Sequence, residues 1–318
     1  MSDIYQEVNL TLENRRIDSE VRLSEHIAEI NRKYPELQSV EKEIADLTQK
    51  QLLLSLDGET DPAIPDQIAS LEEKREDLRR KFGVSEKDYQ AIPFCKLCND
   101  TGEVEITEDG KTLRRPCACI CELLAPELLS SGGIGRFPGI SFEAGKEEFF
   151  SSNPSAGNVY SAVKTLAEHL RVPDMVLFGT SGQGKTFMAV CAARYYAEHG
   201  RPSMVIRLAD AQELMMEYRK TVQAFYTAPE KEKRITARRK LLVEADLLVL
   251  DDMGVEAKTP NSEADILYIL DSRAQLGKKT IITTNYDISA LKERYGARIY
   301  ERIRRSYKCY SLSPKKDG

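Results

Sequence analysis

The run Gly179-Thr180-Ser181-Gly182-Gln183-Gly184-Lys185-Thr186 sets one glycine, then four residues, then Gly-Lys-Thr. That spacing suits a loop wrapped around phosphate. Glycines let the backbone approach the anion, and the N–H groups of a following helix N-terminus meet its charge. Residues 179–186 are therefore the expected nucleotide contacts, with Lys185 reaching the β- and γ-phosphates and the Thr186 hydroxyl ligating Mg²⁺. The context agrees: VLFG before the loop is strand-like, and FMAVCAARYYAEHG after it reads as a helix ending at Gly200.

A second element, LLVLDD, is an apolar run that ends in Asp251 and Asp252 and continues into Met253-Gly254. Acids at the carboxyl end of a buried strand face a ligand bound there. Asp251 is expected to serve Mg²⁺, and Asp252 stands where a carboxylate polarises attacking water. Aspartate is one methylene shorter than glutamate, so slow turnover is expected. In IITTNYD, Asn285 suits a sensor of the terminal phosphate. In YGARIYERIRRSYK, Arg298 and Arg302 are four apart on one helix face, and either is a candidate finger for a neighbouring subunit's site.

Five of the seven cysteines crowd into residues 95–121: Cys95 and Cys98, then Cys117, Cys119 and Cys121 beyond a polar, hairpin-like stretch. In a reducing cytosol this clustering points to metal rather than disulfides. Four thiolates suffice for a closed structural Zn²⁺ site, which would supply folding free energy to so small a hairpin. An iron–sulfur cluster and unliganded thiols remain alternatives. Cys191 and Cys309 read as packing residues.

Four strands are expected around the nucleotide site, at 175–179, 203–208, 247–252 and 279–285, alternating with helical patterns. Such alternation argues for a parallel sheet with helices on its faces, an α/β fold. The first ninety or so residues carry a coiled-coil-type stripe: Leu37, Val40, Ile44, Leu47 and Leu54, then Ile64, Ile68, Leu71, Leu78 and Phe82. An earlier helix is expected to bury Ile17, Val21, Ile27 and Ile30 and to end near Tyr34-Pro35. The expected domains are a helical partner-binding region (1–90), a Cys-rich zinc module (91–130), a linker (131–158) opening near the Gly-rich SSGGIGRFPG, and an ATPase domain (159–318) with no helical lid after it.

The net charge of −5 excludes a protein that coats nucleic acid by bulk electrostatics. Local contact is still possible. Residues 218–240 hold Tyr218, Arg219, Lys220, Phe225 and Tyr226, then KEKRITARRK with six basic residues and one acid. Aromatics among cations suit single-stranded DNA, although an amphipathic helix with a solvated basic face has the same composition. No run approaches the ~20 apolar residues of a membrane span. The N-terminus lacks a signal-peptide pattern, so the chain reads as cytoplasmic with no membrane partner.

Taken together, GTSGQGKT, DLLVLDDMG, ILYILDSR…KKTIITTNYD and RIYERI resemble the DnaC/IstB-like AAA+ ATPases, and within them the bacterial and phage helicase loaders, over about residues 140–310. The resemblance implies a five-stranded parallel sheet, ATP with Mg²⁺, and loading of a hexameric replicative helicase onto single-stranded DNA. It also implies that Asp251 serves Mg²⁺, that Asn285 is sensor 1, and that Arg298 or Arg302 is the finger joining copies of the chain. Arg273, preceded by Asp-Ser where the family shows an Asn-x-Arg-type segment, is implied in subunit contact. A similar cysteine pattern in loader-like proteins pairs Cys117 with Cys119 and leaves Cys121 spare or substituting. The expectation is a replication helicase loader with slow, partner-stimulated ATPase activity. Its rivals are a transposition helper of the same family acting on duplex DNA, and a non-hydrolysing adaptor locked by ATP.

Overall fold

The structure is a computed structural model that describes residues 2–56, 58, 60–108, 110–144, 156–169, 172–224 and 226–312. Phe225, linker residues 145–155 and residues 313–318 lie outside the described residues. The chain divides into two compact units, residues 9–104 and residues 1–8 with 105–318.

The first unit is mainly helical. Helix α1 (Ser2–Lys33) begins in the other unit and runs into this one; α2 (Pro35–Leu56) and α3 (Ala63–Phe82) follow. Pro35 opens α2, where its missing N–H costs nothing. Gly83, at φ 68°, closes α3 by donating its N–H to the Arg79 carbonyl. Helices α2 and α3 pack on each other. The expected stripe is the covered one: Leu37, Val40 and Ile64 are buried, and Ile44, Leu47, Leu54, Ile68, Leu71, Leu78 and Phe82 half-buried. Each fully buried aliphatic side chain contributes roughly 1.5–3 kcal/mol. In α1 the expected face is partly wrong. Ile17 and Val21 are about half exposed, while Ser19, Leu23, Ile27 and Ile30 turn inward. Ser19 is tolerated there because its hydroxyl donates to the Ile92 carbonyl at 3.0 Å.

A two-stranded hairpin, β1 (Glu103–Glu108) and β2 (Lys111–Pro116), leads into α4 (Ala118–Ser131). The larger unit then alternates: α5 (Gly157–Glu168), β3 (Asp174–Phe178), α6 (Lys185–Glu198), β4 (Ser203–Arg207), α7 (Leu208–Gln223), α8 (Pro229–Glu244), β5 (Leu247–Met253), α9 (Ser262–Gln275), β6 (Lys279–Thr284), α10 (Ile288–Ser306) and β7 (Tyr307–Ser311). Strand order is β4-β5-β6-β3-β7, every pair parallel. The central strands are buried on both faces, as their unbroken apolar runs require.

Strand β4 is an edge, and its open hydrogen bonds are covered. The Val205 N–H donates to Gly132 at 2.8 Å, and Arg136 donates to the Val205 carbonyl at 3.1 Å. The Gly-rich opening of the expected linker thus lies along the sheet and shields an edge that would otherwise template aggregation. The strand missed from sequence is β7, whose residues Tyr-Lys-Cys-Tyr-Ser lack an apolar run because it is the opposite edge.

Candidate nucleotide site

Strands β3, β5 and β6 deliver their carboxyl ends to one place. The loop after β3 turns through Gly182 and Gly184, at φ 81° and 80°, a region that strains any other residue. Gly184 is also the residue before α6, so Lys185 and Thr186 open that helix. Lys185 is buried, and its ammonium donates to the Gly179 and Thr180 carbonyls at 2.9 and 2.7 Å. Burial holds this ammonium below the usual lysine range, with Asp252 and Asp251 opposing the effect.

Asp251 is buried at the end of β5. One of its carboxylate oxygens accepts from the Thr186 hydroxyl at 2.8 Å and from the Thr283 hydroxyl at 2.6 Å. A hydroxyl and a carboxylate at this distance are the hard oxygen donors that Mg²⁺ takes while keeping waters, so the residues fit that ion. Asp252 is half-buried at φ 54°, a left-handed conformation uncommon outside glycine, and its N–H donates to Thr283 Oγ1 at 3.0 Å. Burial raises its carboxyl above the usual range, and the neighbouring Asp251 charge adds to that.

Thr283 was not singled out from the sequence. The signal was the Thr-Thr pair ahead of Asn285: successive residues of a strand point oppositely, so Thr283 reaches Asp251 while Thr284 donates to the Met253 carbonyl. Arg207 was missed too. It ends β4 in register with Asp251 and pairs with Asp210 at 2.8 Å. Asn285 is exposed on the loop between β6 and α10.

The arginines differ from one another. Arg298 is exposed; Arg302, exposed beside it, pairs with Asp271 at 2.6 Å. Both line a shallow pocket of about 250 Å³ with Leu267, Asp271 and Glu301, away from the phosphate loop. Arg273 corrects the expectation of subunit contact. It is fully buried and donates to the Leu242 and Val243 carbonyls at 3.2 and 3.0 Å, to Thr280 at 3.0 Å and to the Lys279 carbonyl. Burial pushes it down to about 10. It staples α8 to β6 inside one chain.

Residues 154–299 match the family profile described as "IstB-like ATP binding protein". Over those residues the chain is similar to the IstB-like ATP-binding proteins. An uncharacterized protein YdaV of Escherichia coli K12 is 26% identical over 145 residues, 45% of this chain and 54% of that protein. The replicative helicase loader DnaC of Buchnera aphidicola subsp. Schizaphis graminum is 26% identical over 148 residues, 46% and 57%. A solved DnaC helicase loader is similar at TM-score 0.40 and 21% identity, covering 52% of this chain and 98% of that one. The chain spans about half the length of the curated relatives it matches. ATP binding is what that profile describes, and the Lys185 loop lies within the matched residues.

Two further regions were singled out from sequence. Cys95 and Cys98 belong to the first unit and Cys117 and Cys119 to the larger one, and each is buried or half-buried. Four cysteine thiolates are by their chemistry the donors of a closed structural Zn²⁺ site. Buried Asp100 shapes the first pair by accepting the Phe94 and Cys95 N–H groups at 2.8 and 2.9 Å. The Cys121 thiol faces the Pro116 carbonyl, and burial pushes that thiol up. In residues 218–240, Arg219 pairs with Asp265, and Arg239 lies over Tyr218 and Tyr268, 4.3 and 5.1 Å from the ring centroids. Tyr226, Lys220 and Lys231 line an open crevice of about 540 Å³, and Arg234 and Arg238 are exposed on α8. No helix among the described residues is long and apolar enough to cross a membrane.

Proposed function

We propose that this protein is an ATP-dependent loader of a hexameric replicative helicase onto single-stranded DNA during DNA replication. The observation that carries the reading is the Lys185 loop and the Thr186–Asp251–Thr283 cluster, in a domain whose curated relatives include replicative helicase loaders. ATP with Mg²⁺ occupies residues 179–186, Thr186 and Asp251 hold the metal, and bound Mg²⁺ supplies charge neutralisation at the transferring phosphoryl group. Asp252 orients the attacking water and Asn285 reads the terminal phosphate. Arg298, or Arg302 once freed from Asp271, completes the site of a neighbouring copy, so turnover is slow in a monomer and rises in the assembly. The helical region 1–90 grips the helicase, and Cys95, Cys98, Cys117 and Cys119 hold a structural Zn²⁺ that stabilises the cysteine module. The exposed cations of α8, with Tyr226, contact the DNA. These roles place the protein in the cytoplasm.

A second reading has support in the family profile itself, which is named for IstB-like proteins: a transposition helper acting on duplex DNA. Co-purification with a replicative helicase hexamer, with and without ATP, separates the two. Nucleotide-dependent capture supports the loader, and no capture in either state shifts the reading to the helper. In the same assay Lys185→Ala and Asp252→Asn divide a hydrolysing switch from an adaptor. If Asp252→Asn cycles the helicase as the parent does and only Lys185→Ala fails, hydrolysis is dispensable.

A further inference from the structure

Glu256 lies two residues beyond Gly254, on the loop that leaves β5. It is buried, and its carboxylate accepts the Gly254 N–H at 2.9 Å, the Tyr295 hydroxyl, and the Arg294 guanidinium at 3.4 Å. Arg294 also donates to the Glu256 carbonyl. Three donors thus converge on one residue that faces no phosphate-loop group.

The same loop is tied on its other side to the sensor loop. Thr284 donates to the Met253 carbonyl, and Gly254 lies against the Tyr286 ring so closely that a Cβ there would sit 2.3 Å from two ring carbons. Gly254 is at φ 119°, so the position excludes a side chain twice over. Asp252, near the end of β5, and Asn285, on the loop after β6, therefore sit on segments tied to each other. Both are anchored through Glu256 to the first part of α10.

That helix then breaks. Gly296, directly after Tyr295, has φ 81° and ψ 175°, and Arg298 and Arg302 lie beyond the break. The clamp ends where the arginine segment begins. A buried ion pair is a costly way to hold a loop, and apolar residues would do so with less desolvation; what the directional network adds is one defined arrangement.

We propose that Glu256 is a positioning residue: it passes the state of the Asp252 and Asn285 loops to the arginine segment of its own chain and so sets how Arg298 and Arg302 meet a neighbouring copy. This rests on the trans-completed ATPase proposed above. The test uses full-length Glu256→Gln and Tyr295→Phe, each alone and in an Arg298→Ala/Arg302→Ala background. ATP affinity, kcat and KM at assembling protein concentrations, and unfolding midpoints are read. Either single variant should lower kcat by about 10- to 100-fold, the scale of small misplacement. ATP affinity should stay within about twofold. On the background lacking both arginines neither variant should lower kcat further, because the coupled groups act as one unit. Tyr295→Phe keeps the ring and the ion pair, so it carries the test if Glu256→Gln does not fold. The proposal is overturned if kcat is unchanged, if ATP affinity falls in step with kcat, or if the losses multiply on the arginine-less background. Should the arginine pair variant turn over like the parent, or the parent not hydrolyse ATP, the trans-completed site fails and Glu256's role fails with it. Loss in the arginine variant with none in Glu256→Gln sinks the clamp alone.

Discussion

At the carboxyl edge of the sheet, residues far apart in the chain converge: Thr186 and Thr283 share one oxygen of Asp251. Between residues 218 and 240 the opposite happens. Neighbours in sequence separate, Arg219 turning to Asp265 and Arg239 settling between Tyr218 and Tyr268, while Tyr226, Arg234 and Arg238 stay exposed. The difference lies in what holds each side chain. Strand ends and glycine torsions fix the first set through the backbone, whereas a helix sends successive side chains around its whole circumference and only some meet a partner.

The contrast can be broken most severely at its least anchored part. If Arg298 acts in trans, Arg298→Ala should lower turnover of the assembled protein by at least about 10³-fold with ATP affinity retained. A turnover equal to the parent's would leave Arg302 as the finger, and the same result after Arg302→Ala is added would confine the working site to a single chain. Asp252→Asn should cost about 10²-fold in steady-state hydrolysis, measured by phosphate release, because the group that polarises water is neutralised.

Smaller effects sharpen the other side. Replacing Lys231, Arg234 and Arg238 together by Ala should flatten the salt dependence of single-stranded DNA binding by roughly two log units per log unit of salt, at about 0.7 per contact. Arg239→Ala should instead lower the urea midpoint by an amount worth about 1–2 kcal/mol, the cost of a partly desolvated cation lost from between two rings, with that slope unchanged. An equal loss of slope from Arg239→Ala would return the aromatic sandwich to the DNA site.

The smallest expected effect concerns pH. Asp252's raised pKa means that the folded chain keeps this proton where the unfolded chain has lost it. Its contribution to stability is therefore complete below the unfolded value of 3.8 and is lost as pH rises through the folded value. Asp252→Asn has no such slope. The nucleotide-free variant should melt at or above the parent's temperature near neutral pH, and the gap should close on acidification. A variant that melts lower at neutral pH would show the Asp252 carboxylate to be held favourably.

Much of the sheet edge was legible because each of its motifs describes a backbone event: GTSGQGKT needs left-handed glycines, and LLVLDD can end in acids only at an open strand end. Thr283 and Glu256 were not legible. A threonine in a buried strand looks like any β-former, and a glutamate two residues past a glycine looks like a solvated turn until its three donors are seen. Arg273 misled in the other direction: the resemblance implied subunit contact, whereas here backbone carbonyls left open at the end of α8 take its donors. Likewise Ile17 and Val21 share hydrophobicity with their neighbours, but the inward face of α1 was chosen by Ser19 and Leu23.

Equilibrium binding of a fluorescent ATP analogue, with and without Mg²⁺, to the parent and to Lys185→Ala reaches the central claim most directly. Saturable, magnesium-strengthened binding should appear in the parent and weaken by about 100-fold or more in the variant, the scale of a lost charge-assisted contact to phosphate. Equal affinity in the two proteins, or none in the parent, would contradict a nucleotide site at the end of β3.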